Sequence, residues 1–327
     1  MLLSDTLQST GAGAAHVGRA LRVWLAGSPL SGHVDRPQLP FPKTALACLP
    51  ELDAALDSLL SVELREADED GEKLLCRMPD GRAVEAVLLD PASLCISSQV
   101  GCAVGCGFCK TGTFGLDRQL TTDEILAQVV VARRVRPVRR VLFMGMGEPG
   151  HNLSHVLEAI ACLGVEGCIG HKDLVFSTVG DPKIFDALRE NAVQPALALS
   201  LHTTFDERRR ELLPRAPEVG ARKLLEAALD YGQATGHPLQ LQWTLLAGIN
   251  DGDDELERLI GWLKGRRVVV NFISYNPVDD FPHKRTSAER TLEMTHALHA
   301  AGILAKLRNS AGQGVSGGCG QLRARGR

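Results

Sequence analysis

The chain has 327 residues, 44% of them hydrophobic, enough for one large core and a small appended region. A formal net charge of −3 gives no bulk electrostatic support for a dedicated nucleic-acid binder, and no apolar run approaches the roughly 20 residues that span a bilayer. The first ten residues lack the basic and apolar regions of a signal peptide, so the nine cysteines are expected in a reducing cytoplasm, where clustering points to metal or redox chemistry rather than to a disulfide framework.

Residues 1–70 read as a helical accessory region. AAHVGRALRVWL (14–25) places Val17, Leu21, Trp24 and Leu25 on one helical face. A Pro/Gly-rich loop runs from Pro29 to Pro42, and Leu49–Leu60 predicts a second short helix. Pro79-Asp80-Gly81 between the runs Glu72–Met78 and Ala83–Leu89 predicts a β-hairpin within 71–92. From 93 to 322 strand and helix alternate. Strands are predicted at Val138–Met144, Leu174–Ser177, Ala196–Leu201, Leu239–Leu246 and Val268–Ile273. Helices are predicted at Thr122–Arg134, Leu153–Leu163, Pro182–Glu190, Ala221–Ala234, Asp253–Leu263 and Ser287–Ala301, the last ending at Gly302. This is an α/β pattern: a parallel sheet wrapped by helices, curled into a partial (β/α) barrel. Residues 323–327 are a basic tail with Arg323, Arg325 and Arg327. Two further arginine clusters, 133–140 and 208–215, are each as consistent with a solvated face as with a contact patch.

The chemistry concentrates in CISSQVGCAVGCGFC (95–109). Cys102, Cys106 and Cys109 stand at i, i+4 and i+7 in a glycine-containing loop. Thiolate is the ordinary ligand of iron–sulfur centres, and three local ligands leave one iron of a cubane open to chelate a small molecule. Structural zinc prefers four closed ligands, often as paired CxxC elements, and only one CxxC is present, at Cys106–Cys109.

This loop, with Phe108 just before its last cysteine, resembles the radical S-adenosylmethionine (SAM) signature. CISSQVGC (95–102), FMGMGEP (143–149), STVG (177–180), LSLH (199–202), GIND (248–251), YNP (275–277) and CGQL (319–322) resemble, in order, the RlmN/Cfr family of RNA adenine methyltransferases. The likeness covers about residues 70–322 and reaches more weakly to GRALRVWL (18–25). It implies a radical SAM barrel with a 4Fe-4S cluster on Cys102, Cys106 and Cys109, and two SAM molecules consumed per methylation. It also implies SAM contacts at Gly147, Glu148, Ser177, Ser200, Leu201, His202 and Asn276. The implied substrate is rRNA or tRNA, with adenine C2 favoured over C8. An electron donor such as flavodoxin or ferredoxin, no membrane and a monomer complete the picture. Cys319 would carry the methyl group as S-methylcysteine. Cys95 would resolve the RNA adduct through a transient disulfide with Cys319, and Glu85 would accept a proton.

Each position also has a reading of its own. Gly147 and Glu148 follow a strand, where such folds bind ligands; a glycine there lets backbone approach the ligand, and Glu148 can accept from an ammonium. Ser177, Ser200, His202 and Asn276 likewise sit at strand ends. Taken singly, GMGEP reads equally as a βα turn and His202 as a hydrogen-bonded core histidine. Cys95 reads as a buried strand cysteine, Cys319 as incidental and Glu85 as an exposed strand carboxylate. The segment before Cys319 departs from the family, with Ser310-Ala311-Gly312-Gln313-Gly314 and Gly317-Gly318 in place of an Arg-Gly-acidic stretch and an alanine pair. Cys48, Cys76, Cys162 and Cys168 match no motif and are taken as structural. A radical SAM enzyme with a non-RNA acceptor, and a non-enzymatic iron–sulfur or RNA-binding protein, are the alternatives.

Overall fold

Buried apolar runs separated by amphipathic helices leave the chain beyond residue 93 one economical arrangement, strands side by side with helices outside. The computed structural model describes residues 1–69, 71–277, 281–308, 318 and 320–322. Its strands are β1 (Ser61–Ala67), β2 (Gly71–Arg77), β3 (Ala83–Leu89), β4 (Ser93–Cys95), β5 (Gln99–Gly101), β6 (Leu116–Gln119), β7 (Arg140–Phe143), β8 (Leu174–Thr178), β9 (Ala196–Ser200), β10 (Leu239–Leu245), β11 (Val268–Ser274) and β12 (Leu304–Arg308). Ten of these form one sheet in the order β1-β2-β3-β4-β7-β8-β9-β10-β11-β12, and β5 pairs with β6 apart from it. Neighbours are antiparallel from β1 to β4 and parallel from β4 to β12. With β1 and β12 both at edges, the sheet stays open: a partial barrel.

Register settles which way each side chain points. Lys73, Val87, Cys95, Leu142, Val175 and Ala196 are successive Cα partners across the sheet. Leu142, Val175, Ala196 and Ala198 form a small cluster inside the half-barrel. Their neighbours Val141, Leu174, Phe176, Leu197 and Leu199 face the large core beneath the helices. Alternation along β3 therefore puts Glu85 on the same sheet face as Cys95.

The helices Pro182–Glu190 and Asp253–Leu263 occupy the predicted residues, and the other predicted barrel helices lie within two residues of expectation. A capping box explains the sharp start at Thr122: Thr121 Oγ1 accepts from the Glu124 N–H while the Glu124 carboxylate accepts from the Thr121 N–H. Gly302, at φ +77°, follows the last helix as expected.

Three features differ from the sequence reading. The accessory region has three helices, Leu2–Ser9, Ala14–Leu25 and Lys43–Ser58, and the last tolerates Pro50 in its interior at the loss of one backbone bond. Residues 61–67 are not helical but form β1, held by cross-strand pairs (Arg65–Glu72, Lys73–Glu66, Arg77–Glu63) rather than by an apolar face. The first arginine cluster is largely a clamp. Arg133 donates to the carbonyls of Leu25 (2.8 Å), Gly167 (2.8 Å) and Val138 (3.1 Å), Arg134 donates to Gly27 O and pairs with Asp57, and Arg136 pairs with Asp90. These bonds fasten the accessory helix Ala14–Leu25, whose Val17, Leu21, Trp24 and Leu25 are buried as predicted, to the barrel.

Candidate active site

The cysteine loop leaves β4 through a rigid collar. Ser97 donates its N–H to Gln128 Oε1 (2.9 Å) and its hydroxyl to Glu85 O (2.7 Å), and its Oγ accepts from the Met146 N–H (2.9 Å). Gly101 then turns at φ +79°, and a Cβ there would lie 2.0 Å from Gly115 O, the carbonyl that accepts from the Cys102 N–H at 2.8 Å. Farther along, Gly107 N–H donates to Leu212 O. Held this way, Cys102, Cys106 and Cys109 line one cavity with Phe108, Gly147, Glu148, Ser177, Ser200, His202, Gln242 and Tyr275.

Burial pushes the Cys102 thiol up to about 12, and it lifts Cys106 as well, the neighbouring Cys109 adding to both. Glu148 is buried; its carboxylate accepts from the N–H groups of Gly150 and Val179, both at 3.0 Å, and burial raises its pKa against those bonds. His202 holds φ +63°, a conformation rare outside glycine and found at constrained sites. Its Nδ1 accepts from the Thr244 N–H (2.9 Å), and the Phe108 ring meets it edge-on at 4.7 Å. Burial, with Arg209 nearby, drops its pKa to about 3, so the ring is neutral with its proton on Nε2. Gly147, at φ +106°, lines the cavity and also has a packing reason to be glycine. Its Cβ would strike the Gln99 side chain at 2.7 Å, and a Cβ on Gly145 would meet Ile96 O at 2.6 Å, so these glycines seat the turn on the collar.

Gln242 escaped the sequence reading, where neither of the two glutamines in LQLQWTL offers a signal. It is 3% exposed, lines the cavity beside its Cα partner Ser200, and neither of its amide atoms has a hydrogen-bond partner. A buried group in that state costs about 1–3 kcal/mol, so it is suited to a ligand that both donates and accepts. The cavity thus offers three thiols, a buried carboxylate and an orphaned amide, which fits a cluster with SAM beside it. Among the described residues no three His, Cys, Asp or Glu side chains converge on a single ion, the geometry a mononuclear zinc needs. A cubane presents separate iron corners and has no such need.

The chain returns to this cavity near its end. Gly320 lines it and accepts from the Lys110 N–H (2.7 Å), and Thr111 Oγ1 donates to the carbonyl of buried Leu322 (2.8 Å). Cys319 itself lies outside the described residues. Other expected positions do not line the cavity. Leu201 faces the main core, and Asn276 is buried with its Oδ1 accepting from Arg285 at 3.4 Å. Glu85, far from being exposed, is buried with the Lys73 ammonium at 3.7 Å. No two of the described cysteines are joined in a disulfide. Cys76 is buried, whereas Cys168 is exposed and is no core residue. In the second arginine cluster, Arg208 pairs with Glu255, buried Arg209 donates to Val179 O, and Arg215 braces the cysteine loop at Ala103 O (3.1 Å).

Comparison with known proteins follows this geometry. Residues 96–263 match the Radical SAM superfamily. The chain is 54% identical to a probable RNA methyltransferase of Aromatoleum aromaticum, over 99% of this chain and 91% of that protein. It is 54% identical to another from Bordetella avium, over 98% and 92%. A crystal structure of a radical SAM methyltransferase from Sphaerobacter thermophilus superposes with a TM-score of 0.84 at 33% identity, covering 99% of this chain and 97% of that one.

Proposed function

The chain belongs to the radical SAM superfamily and, within it, to the RlmN/Cfr-like methyltransferases, and from that premise we propose that it methylates an adenine carbon, C2 in preference to C8, in rRNA or tRNA. Relatives named as probable RNA methyltransferases support the substrate class. The observation that carries the reading is one cavity holding the three cysteines, Glu148, His202 and Gly320, the chain neighbour of Cys319.

Cys102, Cys106 and Cys109 would hold a 4Fe-4S cluster, which would supply the single electron for reductive cleavage of SAM. The protein's own groups hold and orient. Glu148 accepts from the SAM ammonium, neutral His202 donates from Nε2, and Gln242 satisfies its amide on SAM. Gly147, Ser177 and Ser200 complete the lining, and Leu201 and Asn276 stand behind it, next in the chain to the lining residues Ser200, His202 and Tyr275. Cys319 is the methyl carrier, S-methylated before transfer. Once the methyl-derived carbon is bonded to the adenine carbon, the Cys95 thiolate attacks the Cys319 sulfur. The S–S bond forms as the carbon–sulfur bond breaks, the electron pair stays with the carbon, which takes up a proton to become the methyl group, and an external two-electron reductant reopens the Cys95–Cys319 disulfide. Cys95 does not line the cavity, but it ends β4 at the rim from which the cysteine loop leaves, which supports this role. Glu85, buried on the same face with the Lys73 ammonium at 3.7 Å, accepts the proton of the adenine carbon. A flavodoxin- or ferredoxin-type donor, a monomeric enzyme and a cytoplasmic site belong to the same reading; no helix among the described residues is long and apolar enough to cross a membrane.

The test uses anaerobically reconstituted protein, methyl-deuterated SAM, a low-potential reductant and total RNA from a strain lacking the gene. Mass spectrometry of digested nucleosides should find label in 2-methyladenosine. Label in 8-methyladenosine would move the carbon, and 5′-deoxyadenosine formed without any labelled nucleoside would refute RNA as acceptor.

A further inference from the structure

The rim of the half-barrel away from the cysteine cavity carries a second cleft that the reaction does not use. Arg140 opens β7, Lys172 precedes β8, His237 precedes β10, Arg267 precedes β11, and Lys306 and Arg308 lie on the edge strand β12. All six line this cleft, and no acidic residue does. None of the five arginines and lysines forms an ion pair among the described residues. Several arginines elsewhere are matched, Arg22 with Glu166, Arg82 with Asp117, Arg118 with Glu124 and Arg290 with Asp253, and those that are not, such as Arg36 and Arg210, do not gather in one acid-free cleft with other cations. Arg140 is half-buried and its Nε has no acceptor. Burial and the charge of Arg308 both disfavour its cationic form, and Asp173, whose field opposes them, makes no ion pair with it.

Cations gathered on one concave wall repel one another and destabilise the fold unless an anion joins them. Their donors suit phosphate: guanidinium forks that bind it bidentately, with lysines as point charges. Arg308, on the edge strand β12, lines both the cleft and the cysteine cavity, so an extended chain along the open edge of the half-barrel would meet both. We propose that this cleft holds the phosphodiester backbone of the RNA flanking the target base. The proposal rests on the reading that RNA is the substrate. A recess within a half-barrel admits a narrow polyanion, whereas a folded acidic protein meets only its rim. It also accounts for how a chain of net charge −3 holds RNA: the positive field is local and concave.

Lys172, Arg267 and Lys306 are exposed and do not line the cysteine cavity, so they are the positions to change. The experiment compares reconstituted wild type with Lys172→Gln/Arg267→Gln/Lys306→Gln. The probe is a fluorescein-labelled RNA stem-loop, with a loop adenine, that the wild type methylates. Affinity should fall roughly tenfold or more at moderate salt, and the slope of log K against log[salt] should shrink by about 2 to 3, near 0.7–0.9 for each lost phosphate contact. RNA-independent formation of 5′-deoxyadenosine should be unchanged. The thermal midpoint should hold or rise as repulsion is relieved, which separates the effect from misfolding. Unchanged RNA affinity and salt slope would overturn the proposal. So would a variant that binds RNA normally but loses turnover only with reduced flavodoxin and not with dithionite, which would make the cleft a protein-docking site. A change confined to binding of inorganic phosphate or pyrophosphate would overturn it in favour of a small anion. Failure of the wild type to bind or methylate any RNA would instead remove the functional reading on which the cleft depends.

Discussion

Two glycines share a backbone conformation and differ in surroundings, which makes them a controlled pair. Gly81, at φ +82°, has nothing within 4 Å of a built Cβ; Gly101, at φ +79°, would bring its Cβ to 2.0 Å from Gly115 O. Alanine in the left-handed region costs about 1–2 kcal/mol at either site. At Gly101 a clash with backbone adds about 1–3 kcal/mol, because a carbonyl cannot rotate aside as a side chain can. For 327 residues the unfolding entropy is roughly 0.7 kcal/mol/K, so each kcal/mol moves Tm by about 1.5 °C. Gly81→Ala should therefore lower Tm by about 1.5–3 °C and Gly101→Ala by about 3–7 °C. The second readout is local. Gly115 O also accepts from the Cys102 N–H, so displacing it moves a cluster ligand. After anaerobic reconstitution Gly101→Ala should lose cluster absorbance while Gly81→Ala keeps it. Calorimetry and absorption spectra on the two variants suffice, and equal losses in both would refute the claim that the close approach positions the cysteine loop.

Gln242→Leu should act in opposite directions on two measurements: the ligand-free protein gains about 1–3 kcal/mol as an unsatisfied buried amide disappears, while SAM binding by calorimetry weakens about tenfold. Loss of stability without loss of affinity would mean that the amide is not kept for a ligand. His202, with a folded pKa near 3 against about 6.5 unfolded, contributes no pH dependence above pH 6.5. Below that the unfolded chain takes up a proton the folded one refuses, so stability should fall by about 1.4 kcal/mol per pH unit down to about pH 3. His202→Asn, which tolerates the same backbone, should flatten that slope in urea titrations; an unchanged slope would place the titration elsewhere. Cys95→Ala, given SAM, reductant and a competent RNA, should accumulate a covalent protein–RNA species on a denaturing gel, and its absence would remove Cys95 from the resolving role.

Legibility followed burial. Strands β7 to β11 are covered on both faces, so they read as continuous apolar runs, and their limits fell within a few residues of expectation. The edge strands β1 and β12 did not read as strands: both pair on one side only, SVELREA is held by cross-strand charges, and LAKLR exposes its apolar residues Leu304 and Leu307. At the site, motif order singled out Gly147, Glu148, Ser177, Ser200 and His202, all of which line the cavity. Gln242 was invisible because its significance is an absence of partners, a property only packing creates. Of the two readings of Glu85, the exposed strand carboxylate is excluded by its burial, since AVEAVLL is apolar on both alternating faces and such a strand has no wet side for a carboxylate.

Charge shows most plainly what sequence order conceals. The arginines adjacent in sequence, 133–136, mostly cap carbonyls and pair with acids, since residues on one short helix end meet whatever packs against it. The cations of the basic cleft are spread from Arg140 to Arg308 and no window along the chain contains them. Parallel topology gathers them. When successive strands run the same way, the residues entering each strand share one rim whatever their separation, and the residues leaving share the other. The exit rim carries Ser177, Ser200 and Tyr275 around the cysteines, while the entry rim carries Arg140, Lys172, His237 and Arg267. The ligand-binding character of the exit rim is common to such folds, but a group of cations at the entry rim with no ion pair among the described residues, where conservation usually serves stability, is not explained by folding and points to an anion supplied from outside the described residues.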